Sequence, residues 1–338
     1  MKVPMIIAIV LICIGLLLSF FALLAVRFDV RLFSSVPYEQ KEMAITDSFS
    51  DILLELDTHD VKLVPVDEGG VRVVYDEPKS EKMWIEMAVA DGKLSIAQKD
   101  TRKWYEKINL FGFGRHGITV YLPAGVYGAL DIRLSTGRIT VEKDFTFTSA
   151  SIVRSTGDLY FKATVTGEVN IEGDTGDNSL SGSYGSLKLK STTGDTQISD
   201  LTVLGNLEIS QTTGDIDMRR VVANEVILKV STGDIEVNDL KASGNMSVYS
   251  TTGEIELSHT VIDEHLKIAS DTGDVELDAS DAATLNITTD TGDVSGRLLT
   301  DKQFFAESDT GRVRVPKTTG GRCEITTDTG NIDFLGDD

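Results

Sequence analysis

Residues 246–257 read MSVYSTTGEIEL and residues 266–277 read LKIASDTGDVEL. Aligned on their glycines, they set Met246, Val248, Ile255 and Leu257 over Leu266, Ile268, Val275 and Leu277. Apolar residues two apart on either side of a Thr-Gly pair are the period-2 mark of two strands, each with one buried face. The apolar offsets are odd before the glycine and even after it. The corner must therefore reset the face on which side chains point. Glycine suits such a corner, because a tight bend commonly needs a positive φ that costs a β-branched residue dearly.

The same corner recurs at Gly137, Gly157, Gly176, Gly194, Gly214, Gly233, Gly253, Gly273, Gly292, Gly311 and Gly330, at intervals of 18 to 20 residues. Eleven in-phase copies of strand, corner, strand, corner signal stacked repeats rather than a globular core. Two assemblies satisfy the pattern. A meander of hairpins would give one very wide sheet with an uncovered apolar face, and no helices follow to cover it. A solenoid lets the two strands of a coil face each other across a shared core. Each strand then pairs with its equivalent in the next coil at about 4.8 Å, making a rod roughly 50 Å long. The expected fold is an all-β, two-strands-per-coil β-solenoid over residues 129–338.

Before it, residues 45–128 contain strand-like segments with irregular spacing: DILLELDTHDVKLVPV around Thr58-His59-Asp60, then VRVVYDE, MWIEMAVA, KLSIAQ and ITVYLP. This stretch is expected as a β cap with irregular first coils, which a solenoid needs because its end exposes core and strand edges.

Residues 5–26, MIIAIVLICIGLLLSFFALLAV, carry no charge. As a helix they span about 33 Å, enough to cross a bilayer. The reading is a tail at 1–4, an uncleaved transmembrane helix at 5–26 and a juxtamembrane linker at 27–44. The short tail and long following domain place that domain outside the cytoplasm. Cys13 lies within the span, and Cys323 falls at a core position seven before Gly330, so no disulfide framework is expected. With 53 acidic against 32 basic residues the net charge is −21, which argues against a nucleic-acid partner.

Two features carry candidate chemistry. After the repeat glycines stand Asp158, Asp177, Asp195, Asp215, Asp234, Glu254, Asp274 and Asp293 in consecutive coils, flanked by Arg138, Arg312 and Asn331. Carboxylates about 5 Å apart repel by about 0.8 kcal/mol in bulk water, so something must compensate them. One answer is local turn capping of backbone N–H groups by Asp. The other is a hard cation such as Ca²⁺, for which Asp271, Asp274, Asp290 and Asp293 form the best cluster, since two neighbouring corners there read Asp-Thr-Gly-Asp. The second feature is KDTRKWYEKINLFGFGRH, residues 99–116. Its Arg102, Lys103, Trp104, Tyr105, Phe111 and Phe113 suit contact with headgroups or a protein partner, or else folding of the aromatics over the end of the first coil. The four histidines show no metal-ligand spacing, and no nucleophile elbow or phosphate loop is present.

The anchor, the ITVYLPAG strand and the run of STGD, TTGD and DTGD corners resemble a bacterial adhesin-like family of β-strand-repeat proteins of unknown function, over roughly residues 45–338. The resemblance implies a repetitive β fold, frequent membrane anchoring and a bacterial source, and it transfers no catalytic residue or cofactor. The expectation is a non-enzymatic protein of the bacterial cell membrane, anchored through 5–26. Its role would be adhesion, scaffolding or envelope-stress response, with an envelope protein or glycan as partner. The alternative is a carbohydrate-active β-helix enzyme acting on envelope glycans.

Overall fold

Along the repeats, consecutive strands do not pair as hairpins. In the computed structural model Glu225–Thr232 lies parallel to Met246–Thr252, with Val226 opposite Met246 and Leu228 opposite Val248. Across the Gly233 corner, Ile235–Ala242 runs parallel to Ile255–Ser258 with Ile235 opposite Ile255. Each residue thus stacks on its equivalent in a neighbouring coil, which is a β-solenoid and not a meander. The structure describes residues 38–67, 69–103 and 116–334, with some helical positions between 11 and 24. The expected span 5–26 and linker 27–44 fall largely outside the described residues. Among those described, no helix is long and apolar enough to cross a membrane.

One contiguous apolar cluster runs the length of the rod, from Ile52 to Phe334, and the inward rows on both sides of the corner are almost all fully buried. The corner resets the pleat as its residues require. Gly233 has φ +139°, and a Cβ there would sit 2.1 Å from the Gly214 carbonyl oxygen of the coil below. Chain direction and close stacking thus both require glycine.

A second bend in the central coils uses glycine only at Gly182, with φ +119°. Asp200, Arg220 and Asp239, six residues after successive corner glycines, take φ of 54°, 54° and 58°. Beyond this bend the inward offsets change from even to odd, so Leu201 and Val203, Val221 and Ala223, and Leu240 and Ala242 join the core. Arg220 and Asp200 also bridge adjacent coils, Nε to Oδ1 at 2.7 Å.

Stacking does not follow chain order at the ends, contrary to the expectation that each coil rests on the next in sequence. Asp51–Leu56 and His59–Val66 form a coil that stacks on Gly125–Thr136 and Ile139–Val141. On its other side lie Lys93–Asp100 and His116–Pro123, parallel to it and therefore a further coil outside the first. Val71–Pro78 and Met83–Ala90 then pair antiparallel to this outer coil, and Tyr38–Ile45 pairs antiparallel to Val71–Pro78. The N-terminal end is closed by reversing strand direction.

At the C-terminal end Val275–Thr291 pairs with Gly321–Thr329, and Lys302–Thr310 lies outside that strand. Val294–Leu298, Ile332–Phe334 and Val313–Arg314 follow the same order. Burial explains the exchange. Cys323, Ile325, Ile332 and Phe334 are at most 3% exposed. The Gly311 coil offers Phe304, Ala306 and Val315, which are only partly buried, and an exposed Val313. The more apolar coil takes the interior slot. A buried pair anchors the outer one: Lys302 Nζ lies 2.6 Å from Asp281 Oδ1, and Thr300 bonds to both side chains.

Candidate functional site on the solenoid flank

The corner carboxylates are engaged, and the capping they perform runs between coils. Asp177 Oδ1 accepts the Asp195 N–H at 3.0 Å, Asp195 Oδ1 that of Asp215 at 3.0 Å, and Asp215 Oδ1 that of Asp234 at 2.9 Å. Asp234 Oδ1 caps Glu254 N–H at 2.8 Å, and Asp274 Oδ1 caps Asp293 N–H at 2.8 Å. Asp60 serves Arg138 in the same way, and Asp293 serves Asn331, which in turn serves Arg312. The ladder therefore begins one coil before the repeats. Each of these aspartates gains a charge-assisted bond that offsets repulsion from its neighbours.

The four acids proposed for Ca²⁺ are not drawn together. Asp271 borders one groove, before the corner, whereas Asp274 and Asp293 line another beyond it with Glu254, Glu276, Arg312 and Arg314. Among the described residues no group of three or more His, Cys, Asp or Glu is arranged to hold a metal ion. Glu254 is the long side chain in the row. Partial burial and then the Asp234 and Asp274 carboxylates push its pKa above the ordinary carboxylate value.

Beneath four of these corners the core is polar. Arg154, only 2% exposed, donates from Nε to the Gly157 carbonyl at 2.7 Å. Its Nη2 donates to the Gly176 carbonyl at 3.2 Å and Asn178 Oδ1 at 2.9 Å. Asn178 Nδ2 continues to Thr196 Oγ1, and Thr196 to Gln211 Oε1 at 2.8 Å. Gly173, where other coils carry a side chain, leaves room for the guanidinium: a Cβ there would meet Arg154 Cζ at 3.0 Å. The exceptions Asn178 and Thr196 in the otherwise apolar row two after the glycine were the sequence signal for this network. Only the stacking identifies Arg154 and Gln211 as their partners.

The outward face before the corners holds a groove of about 690 Å³ that crosses six coils. Along it run Glu172, Lys190, Ser210, Lys229, Tyr249 and Ala269, beside a second row of Asp174, Thr192, Thr212, Ser231, Thr251 and Asp271. Lys188 and Lys229 reach Glu208 from either side, at 3.7 and 3.8 Å. Lys267 Nζ stands 5.6 Å from the Tyr249 ring centroid. The groove is shallow and hydroxyl-lined, with cations in its middle and carboxylates at its ends. Such a surface has the length to contact an extended ligand; Glu208, on the same face, is held between two lysines.

Matches to the Toastrack DUF4097 family model cover residues 49–220 and 183–335. The chain belongs to this family. No curated protein matches the sequence. Solved structures similar to this Toastrack chain include a candidate lipid binding protein from Parabacteroides distasonis, 15% identical over 90% of this chain and 98% of its own, with a TM-score of 0.44. A candidate adhesin from Parabacteroides merdae is 14% identical over 78% of this chain and 97% of its own, also at a TM-score of 0.44.

The remaining candidates of this Toastrack protein lie at its N-terminal end. The segment 99–116 connects Lys93–Asp100 to His116–Pro123, the two strands of the outermost coil; Trp104, Tyr105, Phe111 and Phe113 lie outside the described residues. Arg102 is held by Asp100, with Nη2 2.9 Å from Oδ2. His59 and His116 occupy the glycine position of the two N-terminal coils and stand opposite each other. Burial lowers the basicity of both rings. Cys323 is fully buried, and burial pushes its thiol up to about 12, which makes it an inert core residue.

Proposed function

We propose that this protein is a non-enzymatic binding rod of the bacterial cell envelope, tethered by residues 5–26 with its solenoid outside the cytoplasm. The groove on the solenoid flank carries the reading, because a shallow multi-coil surface contacts a long partner and offers no enclosed site for bond breaking. The corner carboxylates support it: most already accept a backbone N–H, so they serve the stack rather than act as acid and base. Adhesion and scaffolding both use such a surface. The acidic remainder, at net charge −21, would keep the rod away from an anionic membrane.

The tether and its orientation are tested by labelling Ser243→Cys, an exposed position, with an impermeant reagent on intact cells. Labelling without lysis is expected; labelling only after lysis would put the rod in the cytoplasm and end the reading. Full-length protein incubated with cell-wall polysaccharides is expected to release no product. Sustained release abolished by one or two carboxylate substitutions would instead make it a glycan-degrading enzyme.

A further inference from the structure

The lysines of the flank groove are periodic. Five neighbouring strands cross this face: Asn178–Thr193, Asn206–Thr213, Glu225–Thr232, Met246–Thr252 and Val261–Thr272. The first carries Lys188 and Lys190, the third Lys229 and the fifth Lys267; the second and fourth carry Ser210 and Tyr249 between them. Register places Lys190 opposite Ser210, Ser210 opposite Lys229, and Lys229 opposite Tyr249. Lys190 and Lys229 therefore stand two coils apart in one row, about 10 Å, while Lys267 lies two residues off that row, which Ala269 holds in its coil. Against these four lysines the five strands set Glu208 between the cations, Glu225 at the start of the third strand, and Asp263, Glu264 and Asp271 on the fifth. Among the described residues Lys190 makes no ion pair, and Lys267 is met by an aromatic ring instead of a carboxylate. Glu172 and Asp174 close one end and Asp271 borders the other, confining the basic stretch to about 20 Å.

We propose that this stretch binds an anionic linear polysaccharide laid along the rod axis, a ligand assignment that rests on the reading of the protein as a binding rod. The charge interval decides the class. A polysaccharide with one acidic group per disaccharide repeats its charge over two sugar rings, and two coil rises match that length. Hydroxyls from Ser210, Thr212 and Ser231 line the path between the cations, suiting a polyhydroxyl chain that must replace its water. Tyr249 offers the groove its one aromatic face, at the coil between two cationic ones. A peptide is served less well. These strands are paired on both sides, so no edge is open for strand addition, and no apolar pocket receives side chains.

The test titrates the full-length protein in neutral detergent micelles with hyaluronan decasaccharide, which bears one carboxylate per disaccharide. Dextran of equal length and poly-glutamate of equal charge are run beside it. Binding to the decasaccharide is expected, weakened by salt, with dextran and poly-glutamate much poorer. The double variant Lys190→Glu/Lys229→Glu should lose about tenfold or more in affinity, as reversed contacts accumulate. Lys162→Glu/Lys241→Glu makes the same charge change beyond the corners, outside the groove lining, and should stay within about twofold, since only long-range screened charge is altered. Equal binding of dextran or poly-glutamate, or equal losses in the two double variants, would overturn the groove assignment. Retention on isolated bacterial envelopes separates the two levels. Wild-type retention with no oligosaccharide binding sinks the polysaccharide groove and leaves the binding rod standing, whereas failure to be retained at all sinks both.

Discussion

Each corner glycine sits where a carbonyl of the coil below leaves no room for a methyl group. Gly233 has φ +139° and 2.1 Å between a built Cβ and the Gly214 oxygen. Gly233→Ala should therefore cost about 2–4 kcal/mol, combining backbone strain with displaced stacking. A lowered denaturation midpoint is the readout, and a change below about 0.5 kcal/mol would mean that the corner relaxes freely. The aspartate that follows makes a separate prediction. Because Asp274 Oδ1 already accepts the Asp293 N–H, millimolar CaCl₂ should raise Tm no more than NaCl at matched ionic strength. Changing Asp271, Asp274, Asp290 and Asp293 to Asn should not alter that comparison. A rise specific to Ca²⁺ and lost in the Asn variant would restore the cation site. These glycines and aspartates were legible as a spaced motif. The destination of the aspartate hydrogen bond was not, because it ends one coil away, 18 to 20 residues along the chain.

At the level of single elements, both ends of the rod rest on buried polar groups. Lys302 and Asp281 tie the outermost C-terminal coil to the interior, with side chains 5% and 11% exposed. Lys302→Met leaves Asp281 without its cation and should destabilise by about 3–5 kcal/mol. Adding Asp281→Asn to that variant should recover part of the loss, since the buried charge is then gone; no recovery in thermal melts would show that the pair contributes mainly through packing. At the other end, His59 is fully buried, with its ring nitrogens 3.1 Å from Gln98 Oε1 and 3.1 Å from the Asp76 carbonyl. Burial outweighs these bonds and lowers its pKa below the ordinary 6.5, so the unfolded cap binds the proton more readily. Stability from this group is present above about pH 6.5 and is lost as pH falls through the folded value. His116 shifts the same way and adds to the effect. Melts of wild type should drop between pH 7.5 and 5.5, both figures straddling the ordinary histidine value. In His59→Gln that part of the drop should vanish; an unchanged pH dependence would assign it to other groups.

On the scale of the whole molecule, the described residues stack as thirteen coils, the eleven repeats and two N-terminal ones, in a rod about 60 Å long. Its two ends differ. The N-terminal end is closed by antiparallel strands, while among the described residues Lys302–Thr310 pairs on one side only, with Gly321–Thr329. Solenoid stability is a sum over nearest-neighbour interfaces, so an end coil with one neighbour opens first. Amide exchange should therefore be faster in Lys302–Thr310 than in Gly321–Thr329, although the latter comes later in the chain. The reverse order would contradict the exchanged stacking. Some of this was written in the residues themselves: the period, the Thr-Gly corner, the inward rows on either side of it and the all-β class follow from local alternation and the conformational needs of glycine. The second bend was half visible, in the apolar pairs Leu201 and Val203 or Val221 and Ala223, whose odd offsets fit the core only once Asp200 and Arg220 adopt positive φ. Coil order at the two ends, the partners of Arg154 and the alignment of Lys190 and Lys229 in one row were decided by tertiary structure alone. Periodicity states which way a side chain points, whereas competition among coils for the best-buried slot settles which coils become neighbours.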